Sequence, residues 1–341
     1  MINKEEFIFL KKNRYLKTPR MIQIEITNKC TLNCPQCYKG LDKEKNMDMS
    51  VFMKLIDEAY DMGVKHVMLN GGEPLLHPMF TEMVAYLTQC GMCATCYTSG
   101  LSLTRSLIPK IKNLNIEMIF SLNGSCKEIH EISRDGFDIT FHAIQLFRQA
   151  HMDFYINWVA RHDNVKDLPN LIRFAKKNGA SGIIIVGNKL QRNGEIDSPL
   201  TKSDYDFLKY VFSLNDNEKY LCIQNCYNIL AQYIYNMPIS KTYGCSAGIT
   251  ACFITKDGKF APCSHLNYIE EYNGLRDYWE NSIYLKQLRD MEVYKLPHCD
   301  TCTYSMKCRF CRAYSKICYE DFSKGYDSCP IYSGKEKNYG L

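Results

Sequence analysis

Met21-Ile22-Gln23-Ile24-Glu25-Ile26-Thr27-Asn28-Lys29-Cys30-Thr31-Leu32-Asn33-Cys34-Pro35-Gln36-Cys37 is the stretch that decides how this chain folds. Residues 21–26 read as a β-strand, and Cys30, Cys34 and Cys37 form a CxxxCxxC pattern in the loop that follows it. Working outward, residues 21–186 alternate short β-type runs with amphipathic helical runs. The strands are expected at 21–26, 66–69, 94–98, 116–122, 154–159 and 182–186. Between the first two, Phe52, Leu55, Ile56, Ala59 and Met62 recur at helical spacing, with Ser50 as cap and Gly63 as terminator. Similar helical patterns cover 80–87, 107–114, 137–147 and 168–175.

Six successive β-then-α units imply a parallel sheet with right-handed crossovers, doubly wound or rolled up. As a barrel it is an incomplete one, α/β in class, a partial (β/α)6 of the TIM type with its site at the C-terminal strand ends. After about residue 215 this rhythm stops, and from 222 onward Cys, Tyr, Gly and Asp dominate, with 275–291 as the main helical run. The expected division is an N-terminal extension (1–20), the barrel (21–215), a bridging linker (216–240) and a cysteine-rich domain (241–341). A region so poor in aliphatic core needs staples, which metal-bound cysteines provide.

Composition narrows the class. In 341 residues, 46% hydrophobic and 23% charged are ordinary values, and no apolar run is long enough to span a membrane. Residues 1–20 are rich in Lys and Arg and lack a signal peptide's apolar segment, so a cytoplasmic location is expected. A net charge of +5 with scattered basic residues does not indicate nucleic-acid binding. Eighteen cysteines in a reducing compartment argue for metal ligation rather than disulfides.

Three thiolates on one tight loop can hold three irons of a 4Fe-4S cluster and leave the fourth open. In this respect, and across the whole barrel half, the chain resembles the radical S-adenosylmethionine (SAM) superfamily. The resemblance implies that the open iron binds SAM, whose reductive cleavage yields a 5′-deoxyadenosyl radical. Asn70-Gly71-Gly72-Glu73-Pro74 resembles the motif that binds the SAM amino group: glycines permit close backbone approach, and Glu73 offers charge to an ammonium. Ser121 and Asn123 resemble the pair that meets the SAM ribose, and Arg134 is placed for its carboxylate. Thr98-Ser99-Gly100 and Val186-Gly187 occupy comparable strand ends. Gln36 is a departure, because the residue before the third cysteine is often aromatic in this family and stacks near the adenine; Tyr38 is the candidate substitute.

Beyond residue 240 the pattern reads Cys245-x6-Cys252-x5-Gly258-x4-Cys263, then Cys299-x2-Cys302-x5-Cys308-x2-Cys311, then Cys329. It resembles the SPASM extension of radical SAM enzymes, which carries two auxiliary clusters. The resemblance implies Cys245, Cys252, Cys263 and Cys311 for the first, and Cys299, Cys302, Cys308 and Cys329 for the second. The spacing between Cys308 and Cys311 is one residue short of the family's, which leaves Cys318 as a reserve ligand. Three clusters correspond to about twelve irons. The paired CxxC units by themselves would also suit zinc. Cys90, Cys93 and Cys96 read as core packing, and Cys222 and Cys226 as structural rather than catalytic. His265, two residues past Cys263, is the weak candidate for a proton acceptor.

SPASM-bearing enzymes mostly modify peptides or proteins, so the resemblance implies a ribosomal-peptide maturase that forms a thioether or carbon-carbon crosslink. A flavodoxin- or ferredoxin-type reductant is expected with it. Tetrapyrrole modification, sulfatase maturation and epimerisation are the alternatives, and a non-catalytic electron-transfer protein the alternative of another class. Ser264, where a sulfatase maturase carries Asp, argues against formylglycine formation.

Overall fold

The computed structural model describes residues 15–39, 45–189, 196–215, 220–235, 244–266, 268–292, 295–297, 299–302, 310–319, 321 and 329. Isoleucines alternating with polar residues set β1 (Met21–Thr27): Ile22, Ile24 and Ile26 are fully buried, while Gln23 and Glu25 between them are half-buried. Next come β2 (His66–Gly71), β3 (Cys93–Thr98), β4 (Ile116–Ser121), β5 (Phe154–Ala160) and β6 (Gly182–Gly187), each within a residue or two of expectation.

The helices among them are α1 (Met49–Asp61), α2 (Phe80–Gln89), α3 (Ile108–Lys112), α4 (Lys127–His130), α5 (Phe137–Gln149) and α6 (Leu168–Lys177). Helix α1 follows Asp48, two residues earlier than a Ser50 cap allows, and ends at Gly63, whose φ of 80° suits glycine. Its buried stripe of Phe52, Leu55, Ile56 and Ala59 packs on the outer face of the sheet.

Beyond α7 (Lys202–Asn215) the structure departs from the expected division. The supposed linker supplies β7 (Leu221–Ile223), which pairs in parallel with β6, and α8 (Asn228–Tyr235). The cysteine-rich region supplies β8 (Ala251–Ile254), parallel to β1, and β9 (Phe260–Ala261), antiparallel to β8. The resulting sheet has the order β7-β6-β5-β4-β3-β2-β1-β8-β9, so its ends do not meet and the barrel stays open. Strands this short carry too little periodicity to be read locally; their backbone partners hold them.

The C-terminal helices are α9 (Leu275–Asn281), α10 (Ile283–Asp290) and α11 (Arg312–Tyr319). The single run expected at 275–291 is broken at Ser282, whose hydroxyl accepts from Leu285 N and caps α10. Glu58 of α1 accepts from Leu275 N and Arg276 N, and Trp279 Nε1 donates to Leu16 O. These bonds tie the C-terminal part to both the barrel and the N-terminal segment. Among the described residues, no helix is long and apolar enough to cross a membrane.

Candidate active site

A cavity of about 490 Å³ opens at the C-terminal ends of the strands. Strand alternation decides what faces it. Gln23, Met68, Tyr97 and Asn157 point inward, while their neighbours Ile22, Val67, Cys96 and Trp158 are buried in the core. Cys30, Cys34 and Cys37 all line the cavity, together with Asn70, Gly71, Gly72, Glu73, Ser121 and Arg134. Val186 and Gly187 reach it from β6, and Thr98 and Ser99 from the end of β3.

The cysteine loop is fixed from two sides. On one, Gly72 N donates to Thr27 O and Glu73 N to Lys29 O. This approach explains the glycines: a Cβ on Gly71 would lie 2.5 Å from Thr27 O, and one on Gly72 2.3 Å from Lys29 O. Neither has positive φ, so the requirement is space rather than backbone conformation. On the other side, Gln36 N donates to Ser133 O, Asn33 N to Asp135 Oδ2 and Asp135 N to the Cys34 sulfur. Gln36 Oε1 also accepts from Asn123 Nδ2 at 2.9 Å, so the non-aromatic residue here anchors the loop. The Tyr38 and His265 rings lie tilted against each other with centroids 4.1 Å apart, which joins this loop to the C-terminal region.

Two expected SAM contacts are otherwise engaged. Asn123 is fully buried and does not line the cavity; its amide donates to Gln36 and Ser133, and its oxygen accepts from Val159 N. It braces the cysteine loop against β4 and β5, with both amide donors spent on local partners. Glu73 does line the cavity, but its oxygens accept from Leu75 N, Thr98 Oγ1, Ser99 N and Ser99 Oγ. Those bonds occupy a carboxylate's four acceptor sites, so Glu73 pins the end of β2 to that of β3. Burial pushes its pKa up, against these donors. Pro74 is buried as the first residue of a 3-10 turn.

Arg134 Nε and Asn157 Oδ1 are buried without a partner, and both residues line the cavity. Asn157 was not legible in the sequence, since a lone Asn in an apolar strand shows its orientation only once register is known. It lies beside Ser121 on the neighbouring strand.

His130 supports this corner: its Nδ1 accepts from Asn123 N, and burial, aided by Arg134, lowers its pKa from 6.5 to about 4. The folded state thus favours the neutral ring, and stability present above pH 6.5 is lost as pH falls towards 4. The expected loss is about 2 kcal/mol by pH 5. Urea unfolding at pH 7 and pH 5 checks it, with His130→Asn expected to lose that share of the pH dependence.

Besides the first loop, Cys245, Cys263 and Cys311 line the same cavity, together with Cys226. Backbone N–H groups of Ala247 and Arg312 point at the Cys245 sulfur, and that of His265 at the Cys263 sulfur. Burial pushes Cys245 up to about 11 and Cys263 up to about 12, so without metal these thiols keep their protons. Lys189 stands among them; burial opposes its charge, but Cys226, Cys311 and Cys263 raise its pKa. Burial, with Lys189 and Lys39 nearby, holds His265 well below the ordinary imidazole range.

Cys252 does not join these thiols. It lies in β8 opposite Ile22, and like Ile22 it faces the core on the outer side of the sheet, 1% exposed. The SPASM resemblance implied a place for it with Cys245 and Cys263, whereas the pleat of β8 turns its side chain into the core. Cys299 and Cys302 sit on one turn, with Cys302 N donating to Cys299 O, and Cys329 packs beside Tyr205. Cys308 lies outside the described residues, as does the side chain of Cys318. Cys96 is buried in the core and Cys90 packs against it, while Cys222 is exposed. Among the described residues, no three Cys, His, Asp or Glu side chains converge as a single metal ion requires. A cuboidal cluster holds its thiolates apart by its own width, and the soft sulfur donors of both sets fit iron-sulfur chemistry.

The sequence family described as the radical SAM superfamily matches residues 24–175. Among curated proteins, the chain is similar to the AdoMet-dependent heme synthase of Methanosarcina barkeri, 26% identical over 93% of this chain and 98% of that protein. It is also similar to the mycofactocin maturase MftC of Mycobacterium tuberculosis, 24% identical over 87% of this chain and 78% of that protein. Streptococcus suis SuiB, solved with its precursor peptide SuiA, shares the fold, with a TM-score of 0.78, 17% identity, and coverage of 96% of this chain and 79% of SuiB. With the match running from β1 to α6 and the thiol loop at the strand ends, the chain carries a radical SAM domain, and its relatives and structural neighbours include peptide maturases.

Proposed function

We propose that this enzyme modifies a peptide, forming a thioether or carbon-carbon crosslink in a ribosomally made precursor. The open sheet carries this reading: among the described residues its end strands β7 and β9 do not pair, and the cavity of about 490 Å³ opens at the strand ends, where a substrate too large to be enclosed can present one group. An extended peptide does that with one side chain while its backbone stays at the mouth of the open sheet. The maturase MftC, similar over most of its length, and the peptide-bound SuiB support it.

In this reading Cys30, Cys34 and Cys37 hold the 4Fe-4S cluster that, when bound, supplies the electron for reductive cleavage of SAM. Arg134 meets the SAM carboxylate, Ser121 and Asn157 offer polar groups to the ribose, and Gly71 and Gly72 shape the wall beneath the amino group. The C-terminal thiols hold two auxiliary clusters, Cys299, Cys302, Cys308 and Cys329 serving the second with Cys318 in reserve. A flavodoxin or ferredoxin of the cytoplasm supplies electrons.

The heme synthase similarity along nearly the whole chain favours a second reading, in which a tetrapyrrole presents a carboxylate-bearing side arm to the same cavity. Anaerobic turnover with SAM separates the two. A precursor peptide encoded beside this gene is expected to lose a pair of hydrogens per crosslink, read by mass spectrometry. Release of carbon dioxide from a tetrapyrrole, with the peptide unchanged, would overturn the first reading.

A further inference from the structure

Cys226 has no part in the CxxC patterns, and nothing in its local sequence marks it. The fold nevertheless puts it among the C-terminal thiols. It sits on the 3-10 turn Asn225–Tyr227 immediately after β7. That turn is held to β6 twice: Gln224 N donates to Ile185 O, and the Tyr227 ring lies over Gly187, where a Cβ would come within 2.7 Å of it. The anchoring fixes Cys226 at the strand ends, lining the cavity that Cys245, Cys263 and Cys311 also line. A smaller pocket is again lined by Cys226 and Cys311 together.

We propose that Cys226 is the fourth thiol of the first auxiliary site, in the position that the SPASM resemblance assigns to Cys252. The inference rests on the reading that the C-terminal cysteines bind an auxiliary cluster, and specifies how. Its chemical consequence is that this cluster has a sulfur for every iron. With only Cys245, Cys263 and Cys311, one iron would stay open and could ligate substrate; with Cys226 it is closed, which suits passing an electron. The Lys189 ammonium, hydrogen-bonded by Cys226, lies where it offsets the negative charge of these thiolates. The closed site also clamps the β7 turn, a barrel element, to Cys245, Cys263 and Cys311 of the C-terminal region, so iron binding fastens the two parts along one side of the cavity.

The test uses the full chain, reconstituted anaerobically with iron and sulfide, in a Cys30→Ala, Cys34→Ala, Cys37→Ala background so that auxiliary iron alone is read. Iron per chain and the EPR spectrum of the reduced protein are measured. Cys226→Ala is expected to lose about four irons or to change one cluster's spectrum. Cys226→Ser, which substitutes an oxygen, is expected to change that spectrum with iron retained. Cys252→Val, which preserves core packing, is expected to leave both unchanged. If Cys252→Val loses the iron and Cys226→Ala does not, the assignment of Cys226 is overturned and the auxiliary cluster stands. Unchanged iron and spectrum in the Cys226 variants overturn it too, even where product formation is lost, since that would mark a reacting thiol instead. A background protein that binds no iron at all removes the auxiliary cluster itself, and the proposal with it.

Discussion

Replacing Cys30, Cys34 and Cys37 together by Ala is expected to abolish formation of 5′-deoxyadenosine from SAM while leaving the iron held by the C-terminal thiols. The loop itself should survive, because most of its anchors are backbone groups: Gln36 N to Ser133 O, Glu73 N to Lys29 O and Asn33 N to Asp135. The bonds from Asp135 N to the Cys34 sulfur and from the Cys30 thiol to Leu32 O are lost, at about 1 kcal/mol each. The change therefore removes the soft donors and little else. Chromatography of deoxyadenosine under reducing, anaerobic conditions, with visible absorption of the remaining iron, checks both halves. Continued SAM cleavage would place the reactive iron elsewhere and undo the site assignment.

Gly72→Ala is expected to damage the same site without touching a thiol. The added Cβ would stand 2.3 Å from Lys29 O and 2.6 Å from Asn28 O, and both are backbone atoms that no rotamer change can move aside. Either the end of β2 or the cysteine loop must shift. Overpacking of this kind costs about 3 kcal/mol and breaks the Gly72 N to Thr27 O bond with it. The expected result is a lower apparent melting temperature together with poor retention of the SAM-site cluster. Gly63→Ala serves as the control: nothing lies within 4 Å of its Cβ, so it strains its own φ of 80° but leaves the loop in place. Equal iron loss in both variants would show general instability rather than a displaced loop.

The barrel was legible because its strands are apolar or alternating runs joined by amphipathic helices, so each declares itself within a short window. β7 and β8 were not: Leu221–Ile223 and Ala251–Ile254 are too short for a period, and they are strands only because β6 and β1 offer unpaired edges. The site divides in the same way. Motif residues on one loop or strand end, Cys30 to Cys37 and Asn70 to Glu73, line the cavity as their position implies. Strand-end composition does not show that, of Asn123 and Asn157, the second lines the cavity and the first does not. The former spends its amide on Gln36, Ser133 and Val159, and the latter keeps its oxygen unpartnered at the cavity.

By itself the sequence determined the parallel α/β architecture and the tight thiol loop after β1, because both follow from residues close together in the chain. The tertiary structure alone decided which distant cysteines line one cavity. Facing alternates along a strand, so pairing β8 with β1 at Cys252 and Ile22 turns Cys252 into the core. The turn after β7, held over Gly187, brings Cys226 to Cys245, Cys263 and Cys311 from a stretch that looks like a linker. Ligand spacing speaks only for thiols on one local segment; a centre assembled from several is set by register, strand pleat and close backbone packing.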